Sequence, residues 1–241
     1  MKNDYVAMAA AMLDMDYIKK HTMELNKLER NTSNSDFKAS TDYVVKLMKE
    51  AGLADVERYS IPCDGVTTYD DCTMPQAWDR TGRSTLEVVS GNWDKNDTMI
   101  ADTDVEALNA TIWSPPTPEG GVTAELVSLS SARSDDWSEF AGKIVLCDRS
   151  PGGELMRKLA NSGAVGLVSY VAATLETNPD DVRWMNGVGH CGWYYVKGNK
   201  MLWNFSITPR RGVLLDEKLA AGEKIVLIED DFSATVKRLL D

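Results

Sequence analysis

The stretch Ala141–Tyr170, "AGKIVLCDRSPGGELMRKLANSGAVGLVSY", decides the fold. Ile144-Val145-Leu146-Cys147 is a short, uninterrupted apolar run, the mark of a strand buried on both faces. A turn follows at Ser150-Pro151-Gly152-Gly153. The next segment puts Leu155, Met156, Leu159 and Ala160 on one helical face and Arg157 and Lys158 on the other. Gly163 stops that helix, and Ala164–Tyr170 forms a second apolar strand. A strand, a helix and a strand in so few residues favour parallel strands joined by a right-handed crossover.

Downstream lies "MLWNFSITPRRGVLLDEKLAAGEKIVLIED". Thr208 is a natural N-cap with Pro209 at the first helical position, and Leu214, Leu215 and Leu219 supply an apolar face. Gly222 closes this helix and "KIVLI" reads as a further strand. The last residues, "DFSATVKRLLD", read as an amphipathic helix or tail. Upstream, from Pro62, the texture is β-type: "STLEVVS", "ATIWS" and "GVTAELVSL" alternate with the turn sequences "GNWDKND" and "SPPTPEGG".

Before Pro62 the character is helical. The first thirty residues read as helix, and "RNTSNSD" is a capping and loop cluster. A second helix runs from Asp36 with Tyr43, Val44, Leu47, Met48 and Ala51 at helical spacing, ending at Gly52. "DVERYSI" is expected to be a strand that buries Val56, Tyr59 and Ile61. The fold class is therefore α/β (α+β), a β-rich domain with flanking helices, preceded by an N-terminal helical segment. The expected divisions are 1–61, 62–230 and a tail, 231–241.

The chain of 241 residues is 43% hydrophobic and 26% charged, a soluble globular composition. Its net charge of −11 disfavours nucleic acid, whose phosphates need basic patches. The apolar run Tyr5–Leu13 is too short and too closely flanked by Asp4 and Asp14 to span a membrane, and a cytoplasmic location is expected. Cys63, Cys72, Cys147 and Cys191 include no C-x-x-C pair, and Cys147 reads as a buried thiol.

Gly187-Val188-Gly189-His190-Cys191-Gly192 spells G-x-G-x-x-G. A dinucleotide loop needs a buried strand before it and a helix opening after it. Here "DDVRWMN" precedes and the aromatic "WYYVKG" follows, so the segment reads as a turn feeding a strand. Around it, Trp184, His190, Trp193, Tyr194, Tyr195 and Trp203 form the candidate surface for a peptide or partner, with packing in a β-rich core as the competing reading.

The central stretch, with its G-K-I-V-L strand, lysine-bearing helix and G-A-x-G strand, resembles the protease-associated (PA) domain. "FSITPRRGVLLDEKLAAGEKIVL" is similar to the closing part of such domains. "LERNTSNSDFKASTDYVVKLMKEAGLADVERYSIP" resembles the lead-in of M28-type zinc aminopeptidases, in which a PA domain is inserted. The resemblance covers residues 25–62 and 115–230, and "TMPQAWDRTGRSTLEVVSG" fits it only loosely.

The resemblance implies a catalytic domain with two zinc ions held by His, Asp and Glu, and a separate Glu that deprotonates the bridging water. Such a centre uses an H-x-D sequence and a Glu-Glu pair. His21, in "KKHTME", and His190, in "GHCGW", are the two histidines; neither is followed two residues later by Asp, and the chain has no Glu-Glu pair. The Asp-Asp pairs at 70–71, 135–136, 180–181 and 230–231 read as solvated turns. There is no G-x-S-x-G elbow and no P-loop.

The expected function is therefore that of a non-catalytic PA region of an M28-type metallopeptidase, a lid or recognition module. No cofactor is assigned to this chain, and zinc is expected in a downstream catalytic domain. The expected partners are a peptide or protein substrate, or the catalytic domain of the same protein. Two alternatives stay open: a self-contained hydrolase with a metal or thiol site near His190 and Cys191, and an assembly module that forms a homo-oligomer through its N-terminal helices.

Overall fold

The computed structural model describes residues 4–30, 34–131, 137–187, 195–230 and 234–235. The chain divides into two compact units, Met1–Ile61 and Pro62–Asp241. It contains helices and a large mixed sheet, an α/β (α+β) fold.

In the first unit the N-terminal helical stretch is two helices. α1 spans Tyr5–Ala11 and α2 spans Met15–Leu25. The break falls where Asp14 leaves helical geometry and accepts a hydrogen bond from the Tyr17 N–H, as Asp4 does from Ala7 for α1. α3 runs Ser35–Glu50 and ends before Gly52, as expected. "DVERYSI" is not a strand. Tyr59 is 84% exposed and Ile61 55%, because no described segment pairs with this stretch and alternation alone does not bury a side chain.

The second unit opens with two small antiparallel pieces, β1 (Thr68–Tyr69) with β2 (Cys72–Thr73). β3 (Asp79–Arg80) pairs with β11 (Ala234–Thr235), so these two tail residues are strand rather than helix. The remaining strands are β4 (Thr85–Ser90), β5 (Met99–Asp102), β6 (Val122–Ser128), β7 (Ile144–Cys147), β8 (Gly166–Ser169), β9 (Asn204–Ser206) and β10 (Val226–Asp230). They form one sheet in the order β5-β4-β10-β6-β7-β8-β9. From β5 to β6 the pairing is antiparallel, and from β6 to β9 it is parallel.

The sheet nearly closes on itself. The segment after β5 returns along β9, with Ala110 bridged to Phe205 and the Thr111 N–H donating to the Asn204 carbonyl. The buried Asn109 amide completes the seam: its Nδ2 donates to the Ser206 carbonyl (2.7 Å) and its Oδ1 accepts from the Asp102 N–H (3.1 Å). "ATIWS" is thus a buried seam held by bridges and not a ladder strand. Trp113 takes a φ of 65° there, which ends its extended run.

The central stretch folds as its pattern predicts. α4 (Gly153–Ser162) joins β7 to the parallel β8, and Gly163 closes it at a φ of 88°. Alternation sends Val145 and Cys147 to one cluster with Met156 and Leu159 of α4. Ile144 and Leu146 join the larger cluster with Leu86, Phe205, Leu227 and Leu215. Leu215 belongs to α5 (Pro209–Ala220), so the two helices lie on opposite faces of the parallel strands.

Candidate functional site

At the carboxyl end of β6 the chain leaves in one direction while α5 approaches from the other. The turn at Trp137–Phe140 carries the β6–β7 connection to the α4 face, where Phe140 joins the cluster around Met156. α5 lies on the opposite face and returns the chain to β10, on the far side of β6 from β7. β10 runs antiparallel to β6, so the turn after α5 lies beside the carboxyl end of β6. A cavity of about 410 Å³ lies there, lined by β6 from Glu125 to Ser128, by Ser130, by Asp216 and Leu219 of α5, and by the turn up to Lys224.

Residue by residue, the crevice is assembled as follows. Thr208 caps α5 by accepting from the Arg211 N–H, with Pro209 at the first helical position as the sequence predicts. Arg211 pairs with Asp97, and Lys218 donates to the Asn92 carbonyl and sits 5.4 Å from the Trp93 ring centroid. These contacts fasten the helix to the loop between β4 and β5. On its other side Gly212 faces the Tyr170 ring, where an added Cβ would come within 2.1 Å of the ring. That close approach lets the Tyr170 hydroxyl donate to Asp216 Oδ2.

The electrostatics of the crevice separate its carboxylates. Glu125 is paired with Lys143 and lies 3.7 Å from Lys224, and its carboxyl is lowered chiefly by the Lys143 hydrogen bond. Glu223 is paired with Lys218. Asp216 has no cationic partner among the described residues, and its Oδ1 is shielded from solvent without a hydrogen-bond donor. Burial pushes the Tyr170 phenol upward, and the Asp216 carboxylate pushes it further, so the hydroxyl keeps its proton and acts as donor. The Ser128 and Ser130 hydroxyls share a hydrogen bond of 2.7 Å at the end of β6.

Of the residues expected to form a contact surface, the structure describes Trp184, Tyr195 and Trp203. Trp184 is 46% exposed, whereas Tyr195 is 4% and Trp203 3% exposed, both within the main core. For these two, core packing replaces the surface reading. Trp203 presses on Gly166 and lies nearly perpendicular to the Phe205 ring, with centroids 6.0 Å apart; Tyr195 stacks on Trp113 with centroids 6.3 Å apart. Burial pushes the Tyr195 phenol up to about 12. His190, Trp193 and Tyr194 lie outside the described residues, as do Cys191 and the glycine loop beyond Gly187. Gly187 itself donates to the Ile112 carbonyl, and no strand precedes it.

The remaining candidates for chemistry are structural in their surroundings. His21 bonds to the Tyr43 hydroxyl (2.6 Å) and lies 4.1 Å from the Tyr17 ring centroid. Cys147 is buried, donates to the Arg149 carbonyl, and has its thiol pushed up to about 11 by burial. Asp180 forms a two-point pair with Arg210. Among the described residues no three His, Cys, Asp or Glu side chains form a group able to hold a metal ion. They do not fit a two-zinc centre, and no catalytic step is assigned to them. Among the same residues no helix is long and apolar enough to cross a membrane.

Asp216 was legible in one respect that residue types alone conceal. Gly212, Leu215, Asp216 and Leu219 share the i, i+3, i+4, i+7 stripe of α5, which places a carboxylate on the apolar face. Its pairing with Tyr170, 46 residues away, depends on the tertiary fold.

The fold and crevice define a mixed α/β domain whose sheet nearly closes on itself, preceded by a three-helix segment. No family model matches the chain, and no curated protein matches it. Among solved structures it is similar to a peptidase M28 precursor from Shewanella amazonensis, at 17% identity and a TM-score of 0.57. That match covers 91% of this chain and 47% of the other. A zinc aminopeptidase from Bacillus subtilis matches at 18% identity and a TM-score of 0.48, over 90% of this chain and 45% of the other. An aminopeptidase from an Aneurinibacillus strain matches at 17% and 0.46, over 92% and 45%. The likeness to the Shewanella protein is one of fold, and the chain spans less than half the length of each of these proteins.

Proposed function

We propose that this chain is the PA-type region, with its helical lead-in, of an M28-type peptidase-related protein, and that it works by recognition and not by hydrolysis. In this reading the second unit is a lid or recognition module for peptide or protein, and the first unit packs against the catalytic domain of the same protein. The observation that carries the reading is the fold likeness over 91% of this chain to less than half of an M28 peptidase precursor. The helices of the first unit fit the second part of it. α1 and α2 bury no residue, α3 buries only Ser40, and Ile18, Val44 and Met48 are left exposed on them. Apolar side chains in such number at helical spacing are suited to cover another body.

Zinc belongs, on this reading, to the catalytic domain, whose own histidines and carboxylates would hold it. The test is turnover of a panel of aminoacyl reporter substrates by the purified chain, with zinc supplied and bound metal measured. The expected result is no turnover above buffer. Stoichiometric zinc with turnover would overturn the reading and favour a self-contained hydrolase. Light scattering before and after removal of residues 1–30 tests the oligomer alternative, for which the mass would fall to that of a monomer.

A further inference from the structure

We infer that Met8, Met12, Met15, Met23 and Met48 form an oxidation-sensitive set on the first unit, thioethers that a peroxide converts to sulfoxides, turning an apolar helical surface polar. The inference rests on the recognition reading only for what that surface covers; the reactivity is argued from the side chains themselves.

The described methionines divide between the two units. Those five, all in the first unit, are exposed, from 40% for Met48 to 84% for Met12. In the second unit Met74, Met99 and Met201 are half-buried, and Met156 and Met185 are buried. Helical spacing groups the exposed ones with other apolar side chains. Met8 and Met12 follow Tyr5 at i+3 and i+7, Met15 and Met23 flank Ile18 on α2, and Met48 continues the stripe of Phe37 and Val44 on α3. The contact between α2 and α3 runs instead through His21 and Tyr43. None of the five is buried by the packing of its own unit.

Exposure decides which thioethers an oxidant reaches. The sulfur lone pair attacks one oxygen of hydrogen peroxide, the O–O bond breaks, and the second oxygen leaves as water after proton transfer. Sulfur loses two electrons and the peroxide gains them. The sulfoxide is polar, so pressing it against an apolar surface carries a desolvation cost that the thioether lacks. Cover and oxidation therefore exclude each other. A partner seated on these helices shields the sulfurs, and sulfoxides formed while it is away oppose its return. Leucine at the same positions would offer similar apolar area and helix propensity without the reactivity. What the thioethers add to adhesion is a response to oxidant.

The test is limited oxidation of the full chain by hydrogen peroxide, followed by peptide mass spectrometry and by retention on a phenyl-bearing resin, which stands in for an apolar partner. Each of the five is expected to gain one oxygen at least about tenfold faster than Met156 and Met185, with Met48 the slowest of them. Retention should fall as they react. It should return on treatment with the two methionine sulfoxide reductases and a dithiol, which is oxidised to a disulfide as the oxygen leaves as water. The combined variant Met8→Leu, Met12→Leu, Met15→Leu, Met23→Leu and Met48→Leu should keep its retention in peroxide. Should that variant not fold, the return on reduction makes the same point in the unaltered chain. Oxidation of Met156 or Met185 as fast as the five, retention unchanged by peroxide, no return on reduction, or an equal loss in the leucine variant would overturn the inference. None of those results bears on the recognition reading, which falls instead if the chain turns over reporter substrates.

Discussion

All four residues of β7 are buried, whereas α1 and α2 bury none of theirs. Both regions are rich in apolar side chains, and the difference lies in what surrounds them. Strand β7 has a parallel neighbour on each side, α4 over one face and the main cluster over the other. Helices α1 and α2 are capped at their N-termini by Asp4 and Asp14, and their apolar residues remain at the surface. Capping and propensity form a helix, but burial is what stabilises it in a protein. The second unit carries its own stabilisation, whereas the helices of the first bury few of their own side chains.

Substitutions can break this contrast, beginning where it is steepest. Phe205→Ala removes a fully buried ring packed nearly perpendicular to Trp203, and should cost about 4 kcal/mol in denaturant unfolding of the second unit. Gly166→Ala comes next. The added methyl would lie 2.0 Å from the Trp203 ring, and displacing that ring should cost about 3 kcal/mol. Asn109→Ala opens the seam between β5 and β9, leaving the Asp102 N–H and the Ser206 carbonyl without their partner. The expected loss is about 2 kcal/mol, with faster amide exchange at Asp102 as its local signature.

The smaller effects sharpen the contrast. Asp64 accepts from the Thr67 and Val66 N–H groups and from the Thr67 hydroxyl, and its carboxyl is held down to about 2 from an ordinary 3.8. A depressed carboxyl contributes stability that is full above the unfolded value and is lost as pH falls through the folded one. Stability should therefore decline between pH 4 and 2 in part through Asp64, and Asp64→Asn should flatten that portion of an acid unfolding curve. The smallest change is expected in the first unit, where Ile18→Ala should alter stability by no more than about 0.5 kcal/mol.

How much of this was legible in the sequence follows the same division. The strand–helix–strand of Ile144–Ser169, the caps of α5 and the stop at Gly52 were readable because their signals are local: apolar runs, Thr-Pro, and glycine after a periodic face. "DVERYSI" misleads because its alternation is genuine while its burial depends on a neighbour that no described segment supplies. Tyr195 and Trp203 look like a surface cluster in one dimension, yet the close approach at Gly166 and the stack on Trp113 take them into the core. The crevice was the least legible part. Its central pair joins Tyr170 at the end of β8 to Asp216 on α5, and only the unbroken helical stripe through Asp216 hinted at it.

Native-state hydrogen exchange on the full chain tests the contrast between the units most directly, since protection reports local stability amide by amide. The account predicts slow, globally limited exchange in β7 and β8, and exchange in α2 and α3 faster by orders of magnitude, close to that of fraying helices. Equal protection in α2, α3 and β7 would contradict it, because it would show the first unit already stabilised without a partner.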